Sequence, residues 1–130
     1  MIKKTNTDSG VFKAIQAAAS LALDDSGNST KEMNRIYEKR RDALINGLNG
    51  LGWNIERTRA TFYVWARVPK GYTSTGFCAH LLNKAGIMVV PGIGYGKCGE
   101  GYFRASITVP EERIREAVSR MKAEKITFKG

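Results

Sequence analysis

The sequence predicts an α/β (α+β) fold, in which a small, mostly antiparallel sheet has helices packed on one face. Two observations lead to this prediction. Short segments rich in β-branched and aromatic residues alternate with longer amphipathic segments of helical period. Their order is helix, helix, strand, strand, helix, strand, strand, helix, which favours a sheet covered by helices. The length of 130 residues fits a single domain.

The first two predicted elements are helices. Residues 9–23 are rich in alanine, the best helix former, and a cap at Asp8 or Ser9 is expected. Apolar side chains run almost all the way round this helix, so it is expected to be covered on several sides. After a polar loop at 24–30, the second helix carries an apolar stripe at three- and four-residue spacing: Met33, Ile36, Tyr37, Leu44, Leu48 and Leu51.

Four segments have the composition of strands. Residues 61–68 give the strongest signal because they are aromatic and β-branched. Residues 53–56 and 102–107 alternate between apolar and polar side chains, and residues 87–90 form a short apolar run that predicts a buried strand. By periodicity, the predicted core includes the aromatic residues Trp53, Phe62, Trp65, Phe77 and Phe103 and the methionines Met33, Met88 and Met121.

Two further helices complete the predicted order. Thr73 or Ser74 is expected to cap the third helix, and Gly86 ends it in the position that favours glycine. The fourth helix opens at Pro110, a residue that suits a first helical turn. Residues 125–130 have no helical pattern and are expected to form a loose tail.

Charge and chemically active residues narrow the possible functions. The formal net charge is +9, yet the basic residues are spread along the chain, so nucleic-acid binding is not favoured. Cys78 and Cys98 have neither a disulfide framework nor metal-ligand spacing, and we expect reduced thiols in a cytoplasmic protein. The only histidine, His80, lies in an apolar helical stretch that favours a structural role. No run approaches the ~18 apolar residues of a membrane helix, and no secretory signal is visible.

Residues 92–101 hold five glycines, which allow the backbone to approach another surface closely. The segment is not a phosphate-binding loop or a dinucleotide fingerprint, because no helix is predicted after it. It is therefore interpreted as a wide hairpin loop, and its sequence alone leaves open whether it has a function.

Four motifs stand in order along the chain: residues 6–12 (NTDSGVF), 60–65 (ATFYVW), 86–92 (GIMVVPG) and 99–106 (GEGYFRAS). Together they resemble the C-terminal part of class I/II pyridoxal-phosphate aminotransferases, most of all the LL-diaminopimelate and aspartate/alanine aminotransferase group. The resemblance runs from about residue 3 to residue 121. It implies the small domain of fold-type I aminotransferases at 29–124, the end of the large cofactor domain at 1–28, and a tail at 125–130.

The resemblance implies three substrate-binding residues. Arg104 matches the arginine that grips the substrate α-carboxylate, and its planar fork of donors suits that partner. Asn6 matches a segment that reaches the neighbouring subunit's active site, although a helix cap or polar turn is an equally open interpretation. Tyr95 lies in a loop that resembles the entrance of the site, or else it packs on the loop's own surface. No catalytic or metal-binding residue is predicted.

The same resemblance implies pyridoxal phosphate as the cofactor, an amino acid and a 2-oxo acid as substrates, and a homodimer. The family's Schiff-base lysine lies in a Ser-Lys run before a Gly-x-Arg-x-Gly stretch, and no such pattern occurs here. We therefore expect no cofactor on this chain alone and no activity from it. Two other functions stay open: a free-standing basic α/β module that binds RNA or an anionic ligand, and a small domain supplied in trans.

Overall fold

The computed structural model describes residues 10–24 and 27–128 of the chain. Two 3-10 turns, Gly92–Tyr95 and Lys97–Gly99, precede the last strand. In chain order the helices and strands are α1 (Lys13–Asp24), α2 (Asn28–Gly50), β1 (Tyr63–Arg67), α3 (Ser74–Ala85), β2 (Val90–Pro91), β3 (Tyr102–Ser106) and α4 (Glu111–Ala123).

The chain divides into two compact units, Met1–Asn34 and Arg35–Gly130. In the first unit, no residue of α1 is buried, and Leu21 and Leu23 are 73% and 86% exposed. The cover expected for this apolar helix is therefore not found among the described residues. The caps predicted for it, Asp8 and Ser9, lie outside the described residues.

The second unit contains a three-stranded antiparallel sheet in the order β1-β3-β2, which confirms the predicted fold class. Strand β3 is central. It pairs with β1 from Tyr63↔Ser106 to Arg67↔Tyr102, and with β2 through Val90↔Arg104 and its neighbour.

One face of the sheet packs on helices and forms the core. Phe103 on β3 lies 5.4 Å from the ring of Phe77 on α3, measured between ring centroids, and both side chains are buried. Helix α3 is held at its start by Thr73, whose hydroxyl accepts the Gly76 N–H at 3.0 Å. The largest side chains that are almost completely removed from solvent are Phe77, Leu48, Leu81, Ile107 and Val64. Leu48 lies on α2, Phe77 and Leu81 lie on α3, and Val64 lies on β1. The core therefore joins the two helices to the sheet.

The predicted strand at 53–56 does not form. The Asn49 side chain donates to the Ile55 carbonyl oxygen (3.1 Å) and accepts the Ile55 N–H (2.8 Å). An amide side chain thus takes the place of a neighbouring strand, since it satisfies both polar groups of one backbone residue. Trp53 is buried as predicted, and its Nε1–H donates to the Arg67 carbonyl oxygen at 2.8 Å.

The predicted buried strand at 87–90 is also wrong. Only Val90–Pro91 pairs with β3, and Met88 is 82% exposed. Residues 87–89 precede this two-residue edge strand and do not pair with the sheet, so the sheet does not fully bury their side chains.

Half of the predicted core residues are in fact exposed. The buried ones are Trp53, Phe77, Phe103 and Met121, and the exposed ones are Met33, Phe62, Trp65 and Met88. The error at Trp65 has a simple cause. On β1 the buried positions are Val64 and Ala66, so the tryptophan between them lies on the opposite face.

The C-terminal segment packs against the core instead of forming a loose end. The Ile126 side chain is buried, and the Phe128 N–H donates to the Leu51 carbonyl oxygen at 3.0 Å. The Phe128 ring lies 5.6 Å from Trp53 between centroids. Gly52 has φ +98, and a Cβ there would press on the Phe128 carbonyl oxygen, so this close approach requires glycine.

None of the helices within residues 10–24 and 27–128 has both the length and the apolar character that crossing a membrane requires.

The core role of α3 can be tested with two neighbouring leucines. Leu81 is 1% exposed and Leu82 is 45% exposed. We expect Leu81→Ala to lower the free energy of unfolding by about 2–5 kcal/mol, because it leaves a cavity. Leu82→Ala should cost less than about 1 kcal/mol. Urea denaturation followed by circular dichroism measures both, and equal losses would contradict the described packing.

Candidate functional site

The candidate site is centred on Arg104 in the middle of β3. This residue pairs with Trp65 of β1 on one side and with Val90 of β2 on the other. Its neighbours Phe103 and Ala105 are buried in the core. Because side chains alternate along a strand, Arg104 lies on the opposite, open face of the sheet. Hydrogen bonding on both sides makes this a rigid place for a functional side chain.

Two tyrosine rings lie against the Arg104 guanidinium. Its Cζ is 3.8 Å from the ring centroid of Tyr63 and 4.7 Å from that of Tyr95. Tyr63 pairs with Ser106, so it is the diagonal cross-strand neighbour of Arg104, a position that aromatic side chains reach. At 3.8 Å the Arg104 guanidinium lies over the Tyr63 ring, in van der Waals contact with it.

Within the described residues, no carboxylate forms a hydrogen bond or an ion pair with Arg104. Its Nε is shielded from solvent and has no hydrogen-bond partner there. A shielded donor without an acceptor costs free energy, so the arrangement favours binding of an acceptor. The Nη donors of Arg104, which no carboxylate of the described residues engages, and its positive charge remain available to an anion.

Several other arginines of this chain are paired with acids. Arg57 Nη2 lies 2.7 Å from Asp42 Oδ2, and Arg41 contacts both Glu38 and Asp42. Burial raises the pKa of Asp42, but hydrogen bonds from Arg41 and Arg57 outweigh it and leave the pKa below its usual value. Part of the positive charge of the basic run at residues 39–41 is thus neutralised locally.

Tyr95 belongs to the glycine-rich loop between β2 and β3. The loop is closed at its base, where a Cβ on Gly92 would overlap the Gly99 carbonyl oxygen and a Cβ on Gly99 would overlap that of Gly92. Only glycine at both positions permits this approach. At the far end of the loop, the Tyr95 ring meets Trp65 edge-on, with centroids 5.5 Å apart. The loop is therefore compact, and it delivers Tyr95 to the open face of the sheet.

Glu100 ties this loop to the first turn of α3. Its carboxylate accepts the Ser74 backbone N–H at 2.8 Å and the Ser74 hydroxyl at 2.7 Å. Ser74 is completely buried. Hydrogen bonds from the Ser74 N–H and then from its hydroxyl hold the pKa of Glu100 below its usual range. The acid thus stabilises the helix start and the loop together.

The structure places two of the three predicted site residues in one cluster, since Tyr95 lies against Arg104. Asn6 lies outside the described residues. Sequence reasoning missed Tyr63 and Glu100. The ATFYVW and GEGYFRAS motifs contain these residues, and the only available signal was that each motif carries a polar or aromatic residue next to the core positions.

Among the residues that the structure describes, the remaining reactive side chains do not assemble a second site. Cys78 is buried, and burial raises the pKa of its thiol. His80 packs against Tyr72, with ring centroids 5.3 Å apart, as a structural histidine would. Over residues 10–24 and 27–128, no group of three or more His, Cys, Asp or Glu side chains is placed to hold a metal ion.

A groove of about 580 Å³ is lined in part by Tyr63, which contacts Arg104, and by Trp65, which contacts Tyr95. Along it, the Arg67 guanidinium lies 5.4 Å from the ring centroid of Tyr102. The twelve residues that line the groove include no lysine.

Comparison with known proteins gives consistent results. The sequence model of the family described as Aminotransferase class I and II matches residues 2–121. The LL-diaminopimelate aminotransferase of Halothermothrix orenii is 52% identical over 126 residues, which is 97% of this chain and 32% of that protein. The chain spans about a third of the length of the curated relatives that it matches.

Solved structures agree with this similarity. An aminotransferase from Staphylococcus aureus superposes with a TM-score of 0.88 at 28% identity, covering 98% of this chain and 34% of that one. The L,L-diaminopimelate aminotransferase from Chlamydomonas reinhardtii superposes with a TM-score of 0.78 at 32% identity, covering 92% of this chain and 29% of that one.

The link between Glu100 and Ser74 should make stability depend on pH. Because the folded-state pKa of Glu100 is lowered, its contribution is complete above about pH 4.3, the usual glutamate value, and is lost as the pH falls through the folded-state pKa. We expect the free energy of unfolding of Glu100→Gln to decline less than that of the wild type below about pH 5. Urea titrations across this range measure the difference.

The matched control is Glu56→Gln, at an exposed glutamate with no hydrogen bond or ion pair among the described residues. Its decline with pH should follow the wild type. Parallel declines for the wild type and Glu100→Gln would show that the contact with Ser74 does not contribute.

Proposed function

The chain belongs to the class I and II aminotransferases, and from this premise we propose that it forms the substrate-carboxylate-binding domain of a longer enzyme of that family. In that enzyme it would close over the active site during transfer of an amino group between an amino acid and a 2-oxo acid. One supporting fact is that the chain spans about a third of the length of its relatives.

A single observation carries the proposal: Arg104 is held on the central strand without an acidic partner among the described residues. A guanidinium whose in-plane N–H groups are free can donate two parallel hydrogen bonds to the two oxygens of a carboxylate. The α-carboxylate of an amino acid is such a partner. Gripping it fixes the direction of the adjacent Cα–H bond, the orientation that proton removal needs.

The family depends on pyridoxal phosphate, and the residues beside Arg104 do not fit that cofactor. The cofactor is attached through a lysine, whereas the groove that shares Tyr63 and Trp65 with the site has no lysine lining it. No step beyond substrate binding is therefore assigned to this chain's residues. We propose that the chain alone carries no cofactor and has no transaminase activity.

Two further proposals concern how this domain is assembled into the longer enzyme. Asn6 is proposed to bind a distal group of the substrate in the neighbouring subunit of a homodimer, as the family resemblance implies. The exposed apolar side chains of α1, such as Leu21 and Leu23, support the view that a further part of a longer chain covers this helix. A small domain supplied in trans would be covered in the same way.

A second candidate is a free-standing module that binds RNA or another anionic ligand. One observation favours it: the open face of the sheet presents aromatic and arginine side chains together, the combination that RNA-binding sheets use. These side chains are Tyr63, Trp65, Arg67, Tyr102 and Arg104. Binding of oligouridine that weakens steeply as salt rises would support this function, and no binding at low salt would exclude it.

Carboxylate binding can be tested on the 130-residue chain by titration with acetate at constant ionic strength. Backbone amide signals of β1 and β3 should shift and saturate in nuclear magnetic resonance spectra. Arg104→Lys keeps the charge but loses the fork of donors, so we expect binding to weaken at least about tenfold. Arg35→Lys, on an exposed part of α2, should leave binding unchanged. Equal binding by both variants would contradict the proposal.

The absence of a cofactor site can be tested by adding pyridoxal phosphate and following its visible absorbance. We expect a folded circular dichroism spectrum and no saturable band at a single site, since no lysine lines the groove next to Arg104. A one-site band that is removed by one lysine substitution, for instance Lys97→Arg, would show that the chain binds the cofactor by itself.

A further inference from the structure

We propose that Tyr63 and Tyr95 are positioning residues, whose rings hold the Arg104 guanidinium in the orientation that receives a carboxylate. This inference rests on the proposed function and adds the means by which the arginine is oriented. The two contacts are the distances of 3.8 Å and 4.7 Å from Cζ to the ring centroids of Tyr63 and Tyr95.

The geometry of a guanidinium explains why aromatic rings suit this task. All five of its N–H donors lie in one plane, and its flat faces carry none. A carboxylate of the protein would orient Arg104 by occupying the donors that the substrate needs. A ring stacked on a face attracts the cation and leaves the edges free. The contacts of the Tyr63 and Tyr95 rings with the Arg104 guanidinium meet this requirement.

Charge gives a second reason. An acid beside Arg104 would neutralise it and repel an incoming carboxylate, whereas a tyrosine ring does neither. The acid-paired arginines of the same chain, such as Arg57 with Asp42, show the alternative arrangement. Arg104 is therefore both restrained and still fully attractive to an anion.

The two tyrosines reach Arg104 from different parts of the fold. Tyr63 is fixed by the register of β1 against β3. Tyr95 is fixed by its loop, which the contact of Gly92 with Gly99 closes and the contact of Glu100 with Ser74 anchors. Since neither ring depends on the other for its position, each can be removed separately.

The test uses the side-chain Nε–H signal of Arg104 in the isotope-labelled chain. This proton is shielded from solvent, so it exchanges slowly enough to be observed. Two quantities are measured: the heteronuclear NOE of Nε, which reports restricted motion, and the Kd for acetate. Arg104→Lys, which removes the signal, provides its assignment.

We expect Tyr63→Leu and Tyr95→Leu each to lower the NOE and to raise the Kd for acetate about two- to fivefold. Tyr63→Phe keeps the ring and should retain wild-type values. Tyr72→Leu is the matched control, because Tyr72 has similar exposure but packs on Phe77 and His80. Tyr95 is half exposed on a loop, so its variant is informative even if Tyr63→Leu does not fold.

Two outcomes separate the failure of this inference from the failure of the proposed function. Unchanged NOE and Kd in Tyr95→Leu and in folded Tyr63→Leu would overturn the positioning role while carboxylate binding stands. A high NOE in the wild type, lost in the leucine variants, together with no response of Arg104 to acetate, would show that the rings restrain the arginine but that it does not bind carboxylates.

Discussion

The alternation of side chains along β3 couples the core to the candidate site. Phe103 packs on Phe77 beneath the sheet, and the next residue, Arg104, stands on the open face. A slip of one residue in register would exchange these faces, bury the guanidinium and expose the phenyl ring. Burial of an unpaired charge is far more costly than the loss of one hydrogen bond, so the alternative register is strongly disfavoured. The packing of Phe103 in the core therefore also places Arg104 on the open face.

The glycine-rich loop and helix α3 depend on each other in a similar way. The first turn of a helix has backbone N–H groups with no partner inside the helix. Here the Thr73 hydroxyl accepts one of them, and the Glu100 carboxylate accepts that of Ser74. A negative group at a helix start is also favoured by the helix dipole. Because Glu100 lies 26 residues from Ser74 along the chain, this local need of the helix becomes a long-range constraint on the loop.

The sequence was sufficient to predict the fold class, the helices of the second unit and the alternation of β3. It was insufficient where the outcome depended on partners distant along the chain. Aromatic and β-branched composition identified β1 but not its buried face, so Trp65 was assigned to the core. The segment at 53–56 alternates like a strand, but the Asn49 side chain occupies its hydrogen-bonding groups. In the site, Arg104 was predicted from the family resemblance. Tyr63 was not predicted, because it contacts Arg104 only through the pairing of β1 with β3.

The contact between Gly92 and Gly99 has a consequence for how this fold can vary. The two glycines meet so closely that neither position admits a side chain, while Cβ atoms at Gly94 and Gly96 would contact nothing. The loop thus has a fixed base and open space at Gly94, whereas the positive φ of Gly96 restricts that position and Tyr95 is held by its contacts with Trp65 and Arg104. A side chain at Gly94 would begin in open space, so this position can vary without moving the strands at either end. The scaffold and the chemistry at this loop position are in this sense separate modules, and new specificities could arise on the second without refolding the first.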